Sequence, residues 1–168
     1  MKTLVVYYSN SGRTRCVAEA IARELSADIE EIEEKHPRPT YRVGEGEKEG
    51  GGGIARAAGA AVLGLGSGIR KATHGAVDYD MVIVGTPVWA GSVSPAARSY
   101  LKQQKKSLPQ VAFFCTRGGE ATPRVFKQMG ALAGKEPVAT VSVAADDVKS
   151  GAYETAVSSL AARLRGEK

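Results

Sequence analysis

The chain has 168 residues, 43% hydrophobic and 24% charged, enough for one well-buried core and too few for two ordinary domains. Those proportions exclude wholesale disorder. The formal net charge of +5 favours acidic protein partners, anionic substrates or weak nonspecific nucleic-acid contact, or is simply a solvated basic surface. The basic residues are scattered without interleaved aromatics, which argues against a specific nucleic-acid site. The longest low-charge stretch, Ile54 to Ile69, is interrupted by Arg56 and several glycines and makes a poor membrane span. Cys16 and Cys115 are the only cysteines. They form no CxxC and have no histidine at metal spacing, so neither a zinc site nor a disulfide framework is indicated. Both read as small packing residues, with a reactive Cys16 as the alternative, because it falls in the first turn of the first expected helix.

The first apolar run, Leu4-Val5-Val6-Tyr7-Tyr8, is too short for a signal-peptide core, so it reads as a strand and a cytoplasmic location is expected. It stops at Ser9-Asn10-Ser11-Gly12-Arg13-Thr14, and Val17, Ile21 and Leu25 then recur at helical spacing. A polar turn between strand and helix can aim backbone N–H groups, hydroxyls and the positive helix pole at one anion. The turn has one glycine, with neither Gly-x-Gly-x-x-Gly nor Gly-Lys-Ser/Thr, so it suits a terminal monophosphate better than a pyrophosphate. A turn that only caps the helix is the alternative. The SNSGRT segment resembles the phosphate loop of the flavodoxin family, a Ser/Thr-x-Ser/Thr-Gly-x-Thr turn after the first strand.

Asp28 to Glu33 reads as a short edge strand, and Glu30, Glu31, Glu33 and Glu34 as a solvated acidic edge. His36 to His74 is the least regular part. It is an expected Gly-rich insertion, placed at about residues 36–76 of a single domain spanning 1–168, and Ile54 to Leu65 permits a helix. The insertion is either a lid or a surface excursion. Tyr79 to Thr86 is a continuous apolar strand of the kind buried on both faces, and Ser94-Pro95 announces a helix. Val111 to Thr116 is the next strand, followed by Thr122-Pro123 and a helix carrying Val125, Phe126, Met129 and Leu132. Pro137 to Ala144 forms a last strand, and Tyr153, Leu160 and Leu164 mark a last helix. Five strands alternating with helices predict an α/β fold, a parallel sheet covered on both faces in a three-layer, doubly wound sandwich. The flavodoxin resemblance implies the strand order 2-1-3-4-5 and a ligand beyond the carboxyl ends of the strands, beside strand one.

The loops after strands one, three and four would then converge there. PVWAGSVSPA, with the single tryptophan, and CTRGGE look like the corresponding loops of flavodoxins, so the resemblance covers most of the chain outside 36–74. It implies noncovalent flavin mononucleotide (FMN). Matched residue by residue, Ser9, Ser11, Gly12, Arg13 and Thr14 would hold the phosphate. Pro87, Val88, Trp89, Ala90 and Gly91 would contact the ring, with Gly91 a candidate peptide-flip position. Thr116, Arg117, Gly118 and Gly119 would close the other side. No side-chain acid or base is required, because the flavin does the chemistry.

Electron-transfer flavodoxins are usually acidic and commonly hold the ring between two aromatics. This chain is basic, and its CTRGGE loop offers no tyrosine. Three functions remain open at this level: an electron carrier working with a redox partner protein, an FMN-dependent oxidoreductase moving electrons from NAD(P)H to a quinone or similar small acceptor, and a non-catalytic flavin-binding regulatory module.

Overall fold

The structure is a computed structural model that describes residues 1–38, 59–60, 63–119 and 123–166. Neighbouring side chains of a strand point to opposite faces, so a strand covered on both faces must be apolar at nearly every position. β1 (Thr3–Tyr7) and the first six residues of β3 (Met81–Trp89) meet that condition and are buried throughout. They lie side by side and in parallel, Val5 opposite Ile83 and Tyr7 opposite Gly85. With β2 (Asp28–Glu31), β5 (Gln110–Arg117) and β6 (Thr140–Ala144) they form a parallel sheet in the spatial order β2-β1-β3-β5-β6. Counted as parallel strands alone, this is the expected order 2-1-3-4-5. A further short strand, β4 (Ser92–Val93), pairs antiparallel with the end of β3.

The alternation of side chains divides the core between two layers. Val5, Ile83 and Phe114 face α1 (Arg13–Leu25) and α5 (Tyr153–Arg165), meeting Val17, Ile21, Val157 and Leu160. Leu4, Val6, Val84 and Phe113 face α2 (Pro95–Gln104) and α3 (Pro123–Ala133), meeting Tyr100, Leu101, Val125 and Met129. Ser94 caps α2 as expected, its hydroxyl accepting from the Ala97 N–H at 3.4 Å with Pro95 next in sequence. A short helix, α4 (Ala145–Ser150), follows β6.

Two of the parallel strands, β1 and β5, lie within one residue of their predicted limits, and three differ by more. β3 runs past Thr86 to Trp89, because Val88 and Trp89 find partners in β4. β6 begins at Thr140 rather than Pro137, and proline has no N–H for the ladder. β2 stops at Glu31: the Ile32 N–H still donates to Tyr7 O at 2.7 Å, and the chain then turns to a segment on the outer side. There the Lys35 N–H donates to Gly68 O and the Arg70 N–H to Glu33 O, each at 2.8 Å, around the Glu34–Ile69 bridge.

That segment also corrects the picture of a solvated acidic edge. The Glu30 carboxylate accepts from the N–H groups of Thr73 and His74, Glu31 pairs with Arg15 at 2.6 Å, and Glu34 is 5% exposed. Glu33 alone of the four stays largely in solvent, beside Arg70. Glu30 and Glu31 are held by partners distant in sequence, and Glu34 by the distant Tyr8 as well as the nearby Arg38, pairings that an acidic run does not advertise. The expected helix over Ile54 to Leu65 lies mostly outside the described residues.

Gly85 is the tightest point of the sheet. A β-carbon there would lie 2.0 Å from the Phe114 ring, one strand away. The G85A substitution is expected to force Phe114 off its position and cost about 3 kcal/mol, read as a lower urea midpoint with an unchanged slope.

Candidate functional site

β1, β3 and β5 all deliver their carboxyl ends to the same rim, so the turns that follow them are neighbours. After β1, Gly12 adopts a left-handed conformation (φ 86°) that allows α1 to begin at Arg13, and its N–H donates to the Ser9 Oγ at 3.1 Å. No side chain caps this helix and its first turn has no acidic residue; Arg13 and Arg15 stand there instead. Arg15 has Glu31 as its anion, whereas a cation such as Arg13 at the positive pole of a helix is unfavourable unless an anion lies beside it. The Arg13 Nε is buried and has no partner among the described residues. Orphan N–H groups, the Ser9 and Ser11 hydroxyls and this guanidinium fit a phosphate monoester.

The turn after β3 is a hairpin rather than the expected loop. Pro87, Val88 and Trp89 are strand residues, and Ala90 (φ 47°) and Gly91 (φ 71°) form the two-residue connection to β4. Two successive positive φ angles are the signature of the type I′ turn that matches strand twist. Gly91 has only open space around its α-carbon. The base of the hairpin is fixed from two sides: the Thr86 and Ser94 hydroxyls lie 2.9 Å apart, and the Gln128 side chain of α3 accepts from the Val93 N–H at 3.1 Å.

The turn after β5 reaches the first through a buried contact. The Thr14 and Thr116 hydroxyls are 2.8 Å apart, with the residues 1% and 4% exposed. These two matched residues therefore tie the first and third turns together across the sheet rim. Arg117 lies along its own loop, its Nε donating to the Ser142 Oγ at 2.9 Å and a terminal nitrogen to Gly119 O. Gly118 and Gly119 are exposed and face open space. Burial pushes the Cys115 thiol up, and Cys16 is an exposed free thiol.

The structure adds residues that sequence reasoning missed. Trp89 meets Tyr8 edge to face, centroids 5.7 Å apart at 86°, and the Arg38 guanidinium lies 5.4 Å from the Trp89 ring centre. Both neighbours bind Glu34: the Tyr8 hydroxyl donates to it at 2.9 Å, and the Arg38 Nε donates to both carboxylate oxygens at 3.2 and 3.1 Å. Burial, and then the Glu34 charge, drives the Tyr8 hydroxyl well above the usual tyrosine range, so it remains a donor. A cavity of about 310 Å³ lies against Tyr8, Ser9, Asn10, Glu34, Pro37 and Arg38. The one sequence signal for this group was Tyr8, placed where the apolar run meets the polar turn. Among the described residues there is no cluster of metal-binding side chains, and no helix is long and apolar enough to cross a membrane.

The sequence model of flavodoxin matches residues 2–137. The chain belongs to the flavodoxin family. No curated protein sequence matches it. Among solved structures, a flavoprotein in complex with FMN from Lactobacillus acidophilus NCFM is 24% identical with a TM-score of 0.69, the match covering 90% of this chain and 97% of that one. A putative flavoprotein from Bacteroides uniformis is 18% identical with a TM-score of 0.68, covering 90% and 97%. The two-electron reduced flavodoxin of Megasphaera elsdenii is 16% identical with a TM-score of 0.54, covering 96% and 98%. At these identities the likeness is one of fold, and it places the flavodoxin strand order and rim on this chain.

The Thr14–Thr116 contact makes a direct prediction for the rim. T14V or T116V alone strands a buried hydroxyl and is expected to cost about 1 to 2 kcal/mol. The double substitution T14V/T116V removes both hydroxyls and should cost less than the sum, measured by chemical denaturation of all four proteins.

Proposed function

We propose that this protein is a redox carrier that moves electrons through noncovalently bound FMN. FMN is the cofactor of the family to which the chain belongs, and a structural neighbour was crystallised with it. The observation that carries the reading is the start of α1, where no side chain caps the positive helix pole and the Arg13 Nε is buried without a partner among the described residues, while Arg15 is already paired with Glu31. A phosphate there resolves both open features at once.

In this reading Ser9, Ser11, Gly12, Arg13 and the first N–H groups of α1 hold the phosphate, and Thr14 steadies the turn through Thr116. The hairpin of Pro87, Val88, Trp89, Ala90 and Gly91 lies along the ring, with Trp89 as its aromatic wall. The open Gly91 lets backbone approach the ring edge, and Thr116, Arg117, Gly118 and Gly119 bound the other side. The flavin supplies the electron chemistry when bound. The protein supplies binding, orientation and access. Two free cysteines fit a reducing, cytoplasmic setting.

One observation favours a second reading within the same class. Gly118 and Gly119 leave open space where a second aromatic would stand, so a planar nicotinamide or quinone has room to stack on that side. An FMN-dependent NAD(P)H oxidoreductase follows from that room.

FMN titrated into the cofactor-free protein should bind, and R13A should weaken it about 10- to 100-fold while riboflavin, which lacks the phosphate, binds almost unchanged. Equal losses for both ligands would remove Arg13 from the phosphate site. Anaerobic reduction of the loaded protein should proceed in two resolved one-electron steps, with NADH and NADPH inert. Rapid bleaching by either nicotinamide would establish the second reading instead, and absence of any flavin binding would overturn both.

A further inference from the structure

Glu34 is a carboxylate whose side chain is 3% exposed, and a buried carboxylate persists only when its donors are well placed. It is not needed to fasten its own segment. The backbone bonds from Lys35 to Gly68 and from Arg70 to Glu33 do that without any side chain. Its two donors, the Tyr8 hydroxyl and the Arg38 guanidinium, are the same two groups that touch Trp89, one at the edge and one over the ring. A single carboxylate therefore sets two walls of one indole.

Resting on the flavin site described above, we propose that Glu34 is a positioning residue that fixes the plane of Trp89 before the flavin arrives. Without it, Tyr8 and the Arg38 Nε both lose their acceptor, and the indole is free to turn about both side-chain torsions. A flavin must then order Trp89 on binding, and affinity falls by the cost of that ordering. The hairpin turn alone cannot supply this control. It fixes the Trp89 backbone through Ser92 but leaves the ring to its neighbours.

The test uses the full chain, in which Trp89 is the single tryptophan and its fluorescence anisotropy reports the indole directly. Because E34Q alone and R38A alone each disturb a buried ion pair, the decisive variant is E34Q/R38Q, which keeps a neutral pair able to hydrogen-bond. R38K, which keeps the charge, is the conservative control. In the cofactor-free protein E34Q/R38Q, which takes the carboxylate from Tyr8 and the guanidinium from Trp89, should lower the Trp89 anisotropy while the thermal midpoint stays close to wild type, and R38K, which keeps a cation beside Glu34, should stay near the wild-type signal. FMN and riboflavin affinities should fall together by about fivefold, since the ring end and not the phosphate end is affected. Wild-type anisotropy and wild-type affinities in E34Q/R38Q would overturn the role of Glu34 and leave the flavin site standing. A wild-type protein that binds neither FMN nor riboflavin would overturn the flavin site and this inference with it.

Discussion

The burial of β1 on both faces is the constraint from which the rest follows. A strand with no solvent face has to be apolar along its length, and its backbone has to be paired on both edges. Leu4 to Tyr7 satisfy both, lying between Asp28–Glu31 and Met81–Gly85. Once such a strand ends, the chain has to become polar within a residue or two, because it emerges at the rim of the sheet. Ser9 to Gly12 are that emergence, and the start of α1 is aimed by it. The proposed anion site is thus a by-product of how abruptly a buried strand is allowed to stop.

The same rim gathers groups from three other places. Trp89 comes from a strand that outruns its parallel neighbours and folds back on Ser92–Val93, Thr116 from the end of β5, and Glu34 and Arg38 from the chain beyond β2. Contacts that reach across the fold hold two of them, Gln128 to Val93 and Thr14 to Thr116, while Thr86 to Ser94 closes the base of the hairpin and Arg38 pairs with Glu34 along its own stretch of chain. The scaffold around the proposed flavin site is therefore held where it meets secondary structure, and no described residue would meet a β-carbon at Gly12, Gly91, Gly118 or Gly119. Rigid walls with backbone gaps suit a planar cofactor whose edge must be approached closely.

Much of this was legible in the chain. Strands such as Val111–Thr116 announce themselves because parallel sheets demand unbroken apolar runs, and Ser94-Pro95 is a helix start by its own chemistry. The turns after β1, β3 and β5 were legible as candidate site residues for the same reason, since small and polar residues follow apolar runs at each, and the fold does bring those turns to one rim. The hairpin at Ala90-Gly91 was hidden because Pro87 reads as a strand breaker and Ala is a poor advertisement for a positive φ. The burial of Glu34 was hidden more deeply. A carboxylate in an acidic run looks solvated, and only its distance from Arg38 and Tyr8 in three dimensions reveals otherwise. Local chemistry marks where elements begin and end, whereas the pairing of a buried charge is a property of the assembled fold.

The segment from Ser67 to His74 has one more consequence. β2 is the outermost strand on its side, and a bare strand edge invites pairing with any other extended chain. Here the Glu30 carboxylate grips the Thr73 and His74 N–H groups, and the backbone bonds of Lys35 and Arg70 fasten the same segment just beyond the end of β2. The molecule carries its own cover beside that edge, so its resistance to sticking edge to edge with its copies depends on a stretch outside the regular sheet. Shortening that stretch would trade a simpler fold for a templating surface.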